Sequence, residues 1–134
     1  MTMIDRAWIG LRWLYALFFI ATGVMIVVTL TTGAIPRPPQ ATPAAAAFDH
    51  AIAATGFIDP ALAASYLLGG LALLRERTTP FGLVLLAPAV TVILLVHVFL
   101  SGLWPVGAAT AGIAALLAWR HRGGFTGLWS YRRA

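Results

Sequence analysis

Between Phe57 and Ser101, two apolar runs, Ile58–Leu74 and Phe81–Leu100, stand on either side of a six-residue polar break, Arg75-Glu76-Arg77-Thr78-Thr79-Pro80. A hydrocarbon core of about 30 Å takes roughly 20 helical residues at about 1.5 Å each. The second run meets that length, and the first approaches it with its flanks. So short a break forces the two antiparallel, which predicts a membrane hairpin with its two arginines turned to the cytoplasm. Sixty per cent hydrophobic residues against 10% charged is too apolar for a soluble domain of 134 residues, so the bilayer is the expected solvent.

One further helix on each side of the hairpin completes the expected fold. It is an all-α membrane protein, a four-helix transmembrane bundle with a short surface helix between the first and second spans. The spans fall at about 9–30, 58–74, 81–100 and 104–119, in a single domain covering 1–134. Met1–Gly10 reads as a short head. Trp8, Trp13 and Tyr15 then suit the headgroup boundary, to which Arg12 can snorkel. The apolar run is too long for a secretory signal and has no clear small-x-small cleavage site, so it reads as a retained helix.

The connection Thr31–Gly56 starts extended, because Pro36, Pro38 and Pro39 forbid a helix. Thr42-Pro43 then supplies an N-cap and a first-turn proline for a helix over about 43–55, with Phe48 and Ile52 one turn apart. It is too short and too mildly apolar to span, and is expected on the outer surface. Asp59-Pro60 and Thr79-Pro80 repeat the cap-then-proline device for the second and third spans, and Pro88 predicts a kink in the third. The tail 120–134 is basic and aromatic and is expected along the inner surface.

All nine basic residues are arginine and cysteine is absent, which excludes dithiol exchange and thiolate metal sites. Arg6, Arg12, Arg75, Arg77, Arg120, Arg122, Arg132 and Arg133 share one side if both termini are cytoplasmic, and Arg37 falls alone on the other. A net charge of +5 placed beside apolar runs points to an anionic inner leaflet as partner, not to nucleic acid.

Helices in lipid associate through small residues at four-residue spacing. Ala61, Ser65, Gly69 and Ala72 make such a stripe on the second span. Gly107, Ala111, Ala114 and Ala118 make one on the fourth, with Ala108, Gly112 and Ala115 beside it. These two spans are therefore expected to be buried most closely. Ionisable groups in the bilayer are rare and are functional candidates. His97 is the clearest, with Asp59 and His50 placed to join it. A His–Asp pair under a lid suits proton relay or the orientation of a quinone carbonyl, although Asp59 is also explained as a cap. Tyr66, mid-membrane, needs a partner for its hydroxyl and suits bundle structure or ligand contact. There is no phosphate loop, paired-carboxylate site or Ser-His-Asp order, no metal set, and no pair of intramembrane histidines for haem.

Arg12-Trp13-Leu14, Gly23, Thr55-Gly56-Phe57, the string Leu67-Leu68-Gly69-Gly70-Leu71-Ala72-Leu73-Leu74, Thr79-Pro80, Leu85-Leu86-Ala87-Pro88 and His97 together resemble the DoxX-like family of small bacterial four-helix membrane proteins. The resemblance covers roughly residues 9–122. It implies a place in the inner membrane. Some relatives are subunits of a thiosulfate:quinone oxidoreductase and others belong to membrane oxidoreductase complexes. The family often has a glutamate where Tyr66 stands here, and a lysine near the end of the first helix that Val24–Leu30 lacks. The expected function is a non-catalytic accessory or scaffolding subunit, its partners being lipid and other membrane subunits or further copies of itself. The alternatives are a quinone-linked oxidoreductase subunit using His97, with quinone as cofactor, and a dimeric small-solute carrier.

Overall fold

In the computed structural model, described for residues 1–129, the first helix begins well before the apolar run that predicts it. Thr2 and Asp5 form a capping box: Thr2 Oγ1 accepts from the Asp5 N–H at 3.2 Å, and Asp5 Oδ2 accepts from the Thr2 N–H at 3.1 Å. Helix α1 therefore spans Met3–Thr32, and residues 3–10 are its first turns, not a separate head. It stops at Gly33, whose φ of 65° is left-handed and open to glycine at little cost.

Helix α2, Pro43–Thr55, starts as the sequence predicts, with Thr42 Oγ1 accepting from the Ala45 N–H at 3.1 Å. Helix α3 follows at Ile58–Leu73, bent by 94° from α2. Its cap departs from expectation. The N-cap position is Phe57, without a side-chain cap, and Asp59 lies inside the first turn with its carboxylate turned to Arg37. A carboxylate facing a guanidinium gains a charge-assisted bond between two full charges, where an N-cap offers only a backbone N–H.

A turn of 3₁₀ helix, Glu76–Thr78, leads into α4, Thr79–Leu95, which runs through Pro88. Thr79 is also no cap: its hydroxyl donates back to the Arg75 carbonyl at 3.0 Å. Beyond Leu95 the helix widens into a π turn over Val96–Leu100, closed by the Ser101 N–H on the Val96 carbonyl at 2.9 Å. After Gly102 the chain enters α5, Trp104–Arg120, then a 3₁₀ turn, Arg122–Phe125, and one helical turn at Thr126–Trp129. The expected tail contacts of Ser130, Tyr131, Arg132 and Arg133 lie outside the described residues.

No strand occurs among the described residues. Two helical stretches, Met3–Thr32 and Glu76–Leu100, are long and apolar enough to cross a membrane, and the bent pair α2–α3 makes a third if it counts as one broken span. Helices α3 and α5, of 16 and 17 residues, rise only about 24–26 Å.

The helices pack in a row, α1 on α3, α3 on α4 and α4 on α5, while α1 and α5 meet only lightly. Phe19, Leu73, Leu86 and Leu117 are fully buried between them. Backbone approach is closest between α3 and α4. A Cβ on Gly82 would lie 2.7 Å from the Gly69 carbonyl, and one on Gly69 would lie 2.5 Å from Leu86. Helices α3 and α5, the expected second and fourth spans, are thus not the closest pair, since α4 lies between them. Ala61 is exposed, as are Ala108, Gly112 and Ala115 on the second stripe of α5, so these small residues mark no contact within the described chain. Ser65 and Ala111 are half-buried and Gly107 is buried. Ser65 Oγ donates across to the Leu85 carbonyl at 2.8 Å.

Candidate functional site

The polar side chains of the bundle gather at its two ends. At one end, Arg37 crosses from the extended connection and bonds Asp49 of α2 at 3.1 Å through Nη1 and Asp59 of α3 through Nη2. The hydrogen bond to Asp59 is the main reason the guanidinium is held more firmly protonated than usual. Thr42 donates its hydroxyl to the Leu100 carbonyl, so the start of α2 is also tied to the far end of the π turn. Asp59 is therefore a strut for the connection between α1 and α3. Among the described residues no hydrogen bond or ion pair joins Asp59, His97 and His50, so the relay expected of them is not assembled.

His97 sits half-buried in the π turn. Its Nδ1 lies 2.7 Å from the Ile93 carbonyl. A carbonyl only accepts, so Nδ1 carries the proton and Nε2 is left as an acceptor. Gly107 makes room for this histidine: a Cβ there would lie 2.9 Å from His97 Cβ. His50 is exposed on α2. Tyr66 lies in an aromatic cluster, its ring 5.1 Å from that of Phe19, which stands edge-on to Tyr15 at 4.9 Å. The Tyr66 hydroxyl bonds to nothing among the described residues, whereas that of Tyr15 donates to the Thr110 carbonyl at 2.8 Å.

The opposite end brings together the start of α1, the α3–α4 turn and the end of α5. Arg12 does not snorkel to the boundary. It is 6% exposed, and its Nη1 donates to the Leu73 carbonyl at 3.3 Å and to Thr79 Oγ1 at 3.4 Å. The reason is helical phase: Arg12, Tyr15, Ala16, Phe19 and Gly23 share the one face of α1 that is buried. That phase was readable in the sequence, and it is the signal by which Arg12 and Tyr15 could have been placed inside. Nearby, Arg120 pairs with Asp5 at 3.4 Å and lies 6.0 Å from the Trp8 ring. A vestibule of about 260 Å³ opens here, lined by Arg12, Arg120, His121, Asp5, Glu76 and Trp8 among others.

Between α1 and α5 the loose packing leaves a groove of about 720 Å³, lined on one wall by Leu11, Leu14, Leu17 and Phe18 and on the other by Val106, Ala109 and Ile113. Its polar features are Tyr15 and Thr110, which bond each other. No cluster of three His, Asp or Glu side chains placed to hold a metal occurs among the described residues.

Fold and polar layout together define a helical protein with two or three helices apolar enough to cross a membrane. Comparison of the chain with protein-family models, with curated proteins and with solved structures finds no match.

Proposed function

We propose that the chain is a DoxX-like integral protein of a bacterial inner membrane, and that it acts as an accessory or scaffolding subunit of a larger membrane assembly. In this reading it crosses the bilayer four times with both termini cytoplasmic. Support for the topology comes from charge: Arg12, Arg75, Arg77 and Arg120 gather at one end of the helix row, and Arg37 at the other is matched by Asp49 and Asp59. The short spans α3 and α5 are accommodated by local thinning of the bilayer.

The observation that carries the scaffolding role is the α1–α5 seam. A four-helix row that closed on itself would bury this seam, but here it stays open as an apolar groove of about 720 Å³. Three polar groups within the row are meanwhile committed to structural bonds, His97 to Ile93, Ser65 to Leu85 and Tyr15 to Thr110. A partner transmembrane helix fits such a groove by close packing. A photo-crosslinking residue at Ala109 tests this in native membranes. The expected product is a defined adduct with one other membrane polypeptide, abolished when Val106→Trp fills the groove. Crosslinks to lipid alone would remove the reading.

A second reading, a quinone-linked oxidoreductase subunit, is favoured by the same groove, whose volume of about 720 Å³ and apolar lining suit part of an isoprenoid tail. Quinone retained on purification and displaced by Val106→Trp supports it, and purified protein free of quinone in a quinone-replete membrane counts against it.

A further inference from the structure

Arg12 is the one buried guanidinium among the described residues, and it forms no ion pair with any of them. An arginine has five N–H donors and no acceptor, and stays charged in proteins. Here a single nitrogen, Nη1, serves two neutral oxygens, those of Leu73 and Thr79, at 3.3 and 3.4 Å. Nη2 and Nε find no protein acceptor among the described residues. No side-chain nitrogen is sealed from solvent without a partner either. The free N–H groups therefore keep contact with solvent, and the cavity that Arg12 lines is this vestibule.

The other charges of this vestibule do not answer Arg12. Asp5 is already used, with Oδ2 accepting from the Thr2 backbone and hydroxyl and Oδ1 accepting from Arg120. Glu76 is exposed and forms no ion pair among the described residues. His121 lines the cavity, commits Nδ1 to the Leu117 carbonyl at 2.9 Å, and forms no ion pair among the described residues. A buried unpaired charge is destabilising unless something supplies the counter-charge.

We propose that the vestibule binds a phosphate-type oxyanion, with Arg12 as its principal ligand through Nη2 and Nε, and Arg120 at its edge. A planar guanidinium with a free fork matches phosphate geometry. Two sources carry this chemistry, the headgroup of an anionic phospholipid and free phosphate. The fold favours the lipid. The same two helices that wall the vestibule, α1 and α5, wall the apolar groove further along, so that a headgroup at Arg12 leaves a place for an acyl chain against Leu11 and Leu14 at the near end of that groove, short of Val106 and Ala109 where a partner helix is proposed.

The test uses the full chain in neutral detergent, titrated separately with phosphatidylglycerol, with phosphatidylcholine and with inorganic phosphate, and read by native mass spectrometry and thermal stability. Phosphatidylglycerol is expected to be retained and to stabilise the protein, phosphatidylcholine to do so weakly. Arg12→Gln is expected to weaken phosphatidylglycerol binding by at least about five-fold, the scale of one basic residue at an anionic lipid surface. Glu76→Gln, on the exposed rim, is expected to strengthen it. This second variant keeps the test decisive if Arg12→Gln does not fold. Stabilisation by inorganic phosphate alone, lost in Arg12→Gln, would uphold the site with the free ion as its source. Equal binding of both lipids with no response to phosphate, or Glu76→Gln leaving affinity unchanged, would overturn the proposal.

Discussion

The hydroxyl of Tyr15 on α1 donates to the main-chain carbonyl of Thr110 on α5 at 2.8 Å, across 95 positions of sequence. It is a buried bridge over a seam where the two helices otherwise meet lightly. In lipid the strength of such a bond is modest, because the separated helices also find partners for their polar groups.

Tyr15→Phe keeps the ring against Phe19 and removes only this bridge. The expected loss is about 0.6–1.7 kcal/mol of bundle stability, measured by unfolding in mixed micelles. A probe at Ile113 on the groove wall should also become more accessible. Unchanged stability and accessibility would mean that α5 is held by α4 alone.

Glycines on different faces separate packing from helix propensity. A Cβ on Gly82 meets backbone, the Gly69 carbonyl at 2.7 Å and the Leu73 nitrogen at 3.2 Å, and backbone cannot step aside as a side chain can. Gly82→Ala should therefore force α3 and α4 apart and cost about 1–3 kcal/mol. Gly112 has nothing within 4 Å of a Cβ. Gly112→Ala should be neutral or stabilising by up to about 1 kcal/mol, since alanine is the better helix former. The two variants compared in one unfolding assay decide the point, and equal effects would contradict this α3–α4 crossing.

How much of this was legible beforehand follows from which forces are local. Thr42-Pro43 and Gly56 set the ends of α2 through neighbouring residues, and the sequence predicts both ends. Apolar run length likewise located the helices to within a few residues, apart from the polar capping box of α1, which has no apolar signature. Pairing of helices was not legible, because small-residue stripes occur on both contact and outward faces of α5, as Gly107 and Gly112 show. The polar site is hidden in the sequence for a related reason. Asp59 has two chemically sound roles, cap and ion-pair partner, and only the fold brings Arg37 from 22 residues away to choose between them. Arg12 was readable by phase, but the habit of arginines near span ends to snorkel hid it.

The Arg37 network is expected to be unequal in its two arms. The Asp49 side chain is 29% exposed and that of Asp59 12%. Asp49→Asn should cost at most about 1 kcal/mol, as partly exposed pairs do. Arg37→Gln leaves the Asp59 carboxylate half-enclosed without its partner and should cost about 1–3 kcal/mol. It should also free the connection, so limited proteolysis near Arg37–Ala41 is expected to accelerate in Arg37→Gln and hardly at all in Asp49→Asn. Identical cleavage rates in both would show that Thr42 on the Leu100 carbonyl, not Arg37, holds this segment.

Helix α2 tests how the outer end meets lipid. Its N-terminus is tied to the π turn through Thr42 and its C-terminal half to Arg37 through Asp49, while Phe48 remains 37% exposed. Helix α2 is bent 94° from α3. If it lies on the membrane surface, as its length and mild hydropathy predict, Phe48 sits at the headgroup boundary and not at the bilayer centre. Because the chain has no cysteine, Phe48→Cys gives a single labelling site. A fluorophore there should be quenched more by lipids carrying a nitroxide near the headgroup than by those carrying one mid-chain. The reverse order would make α2 part of a broken span that enters the membrane with α3.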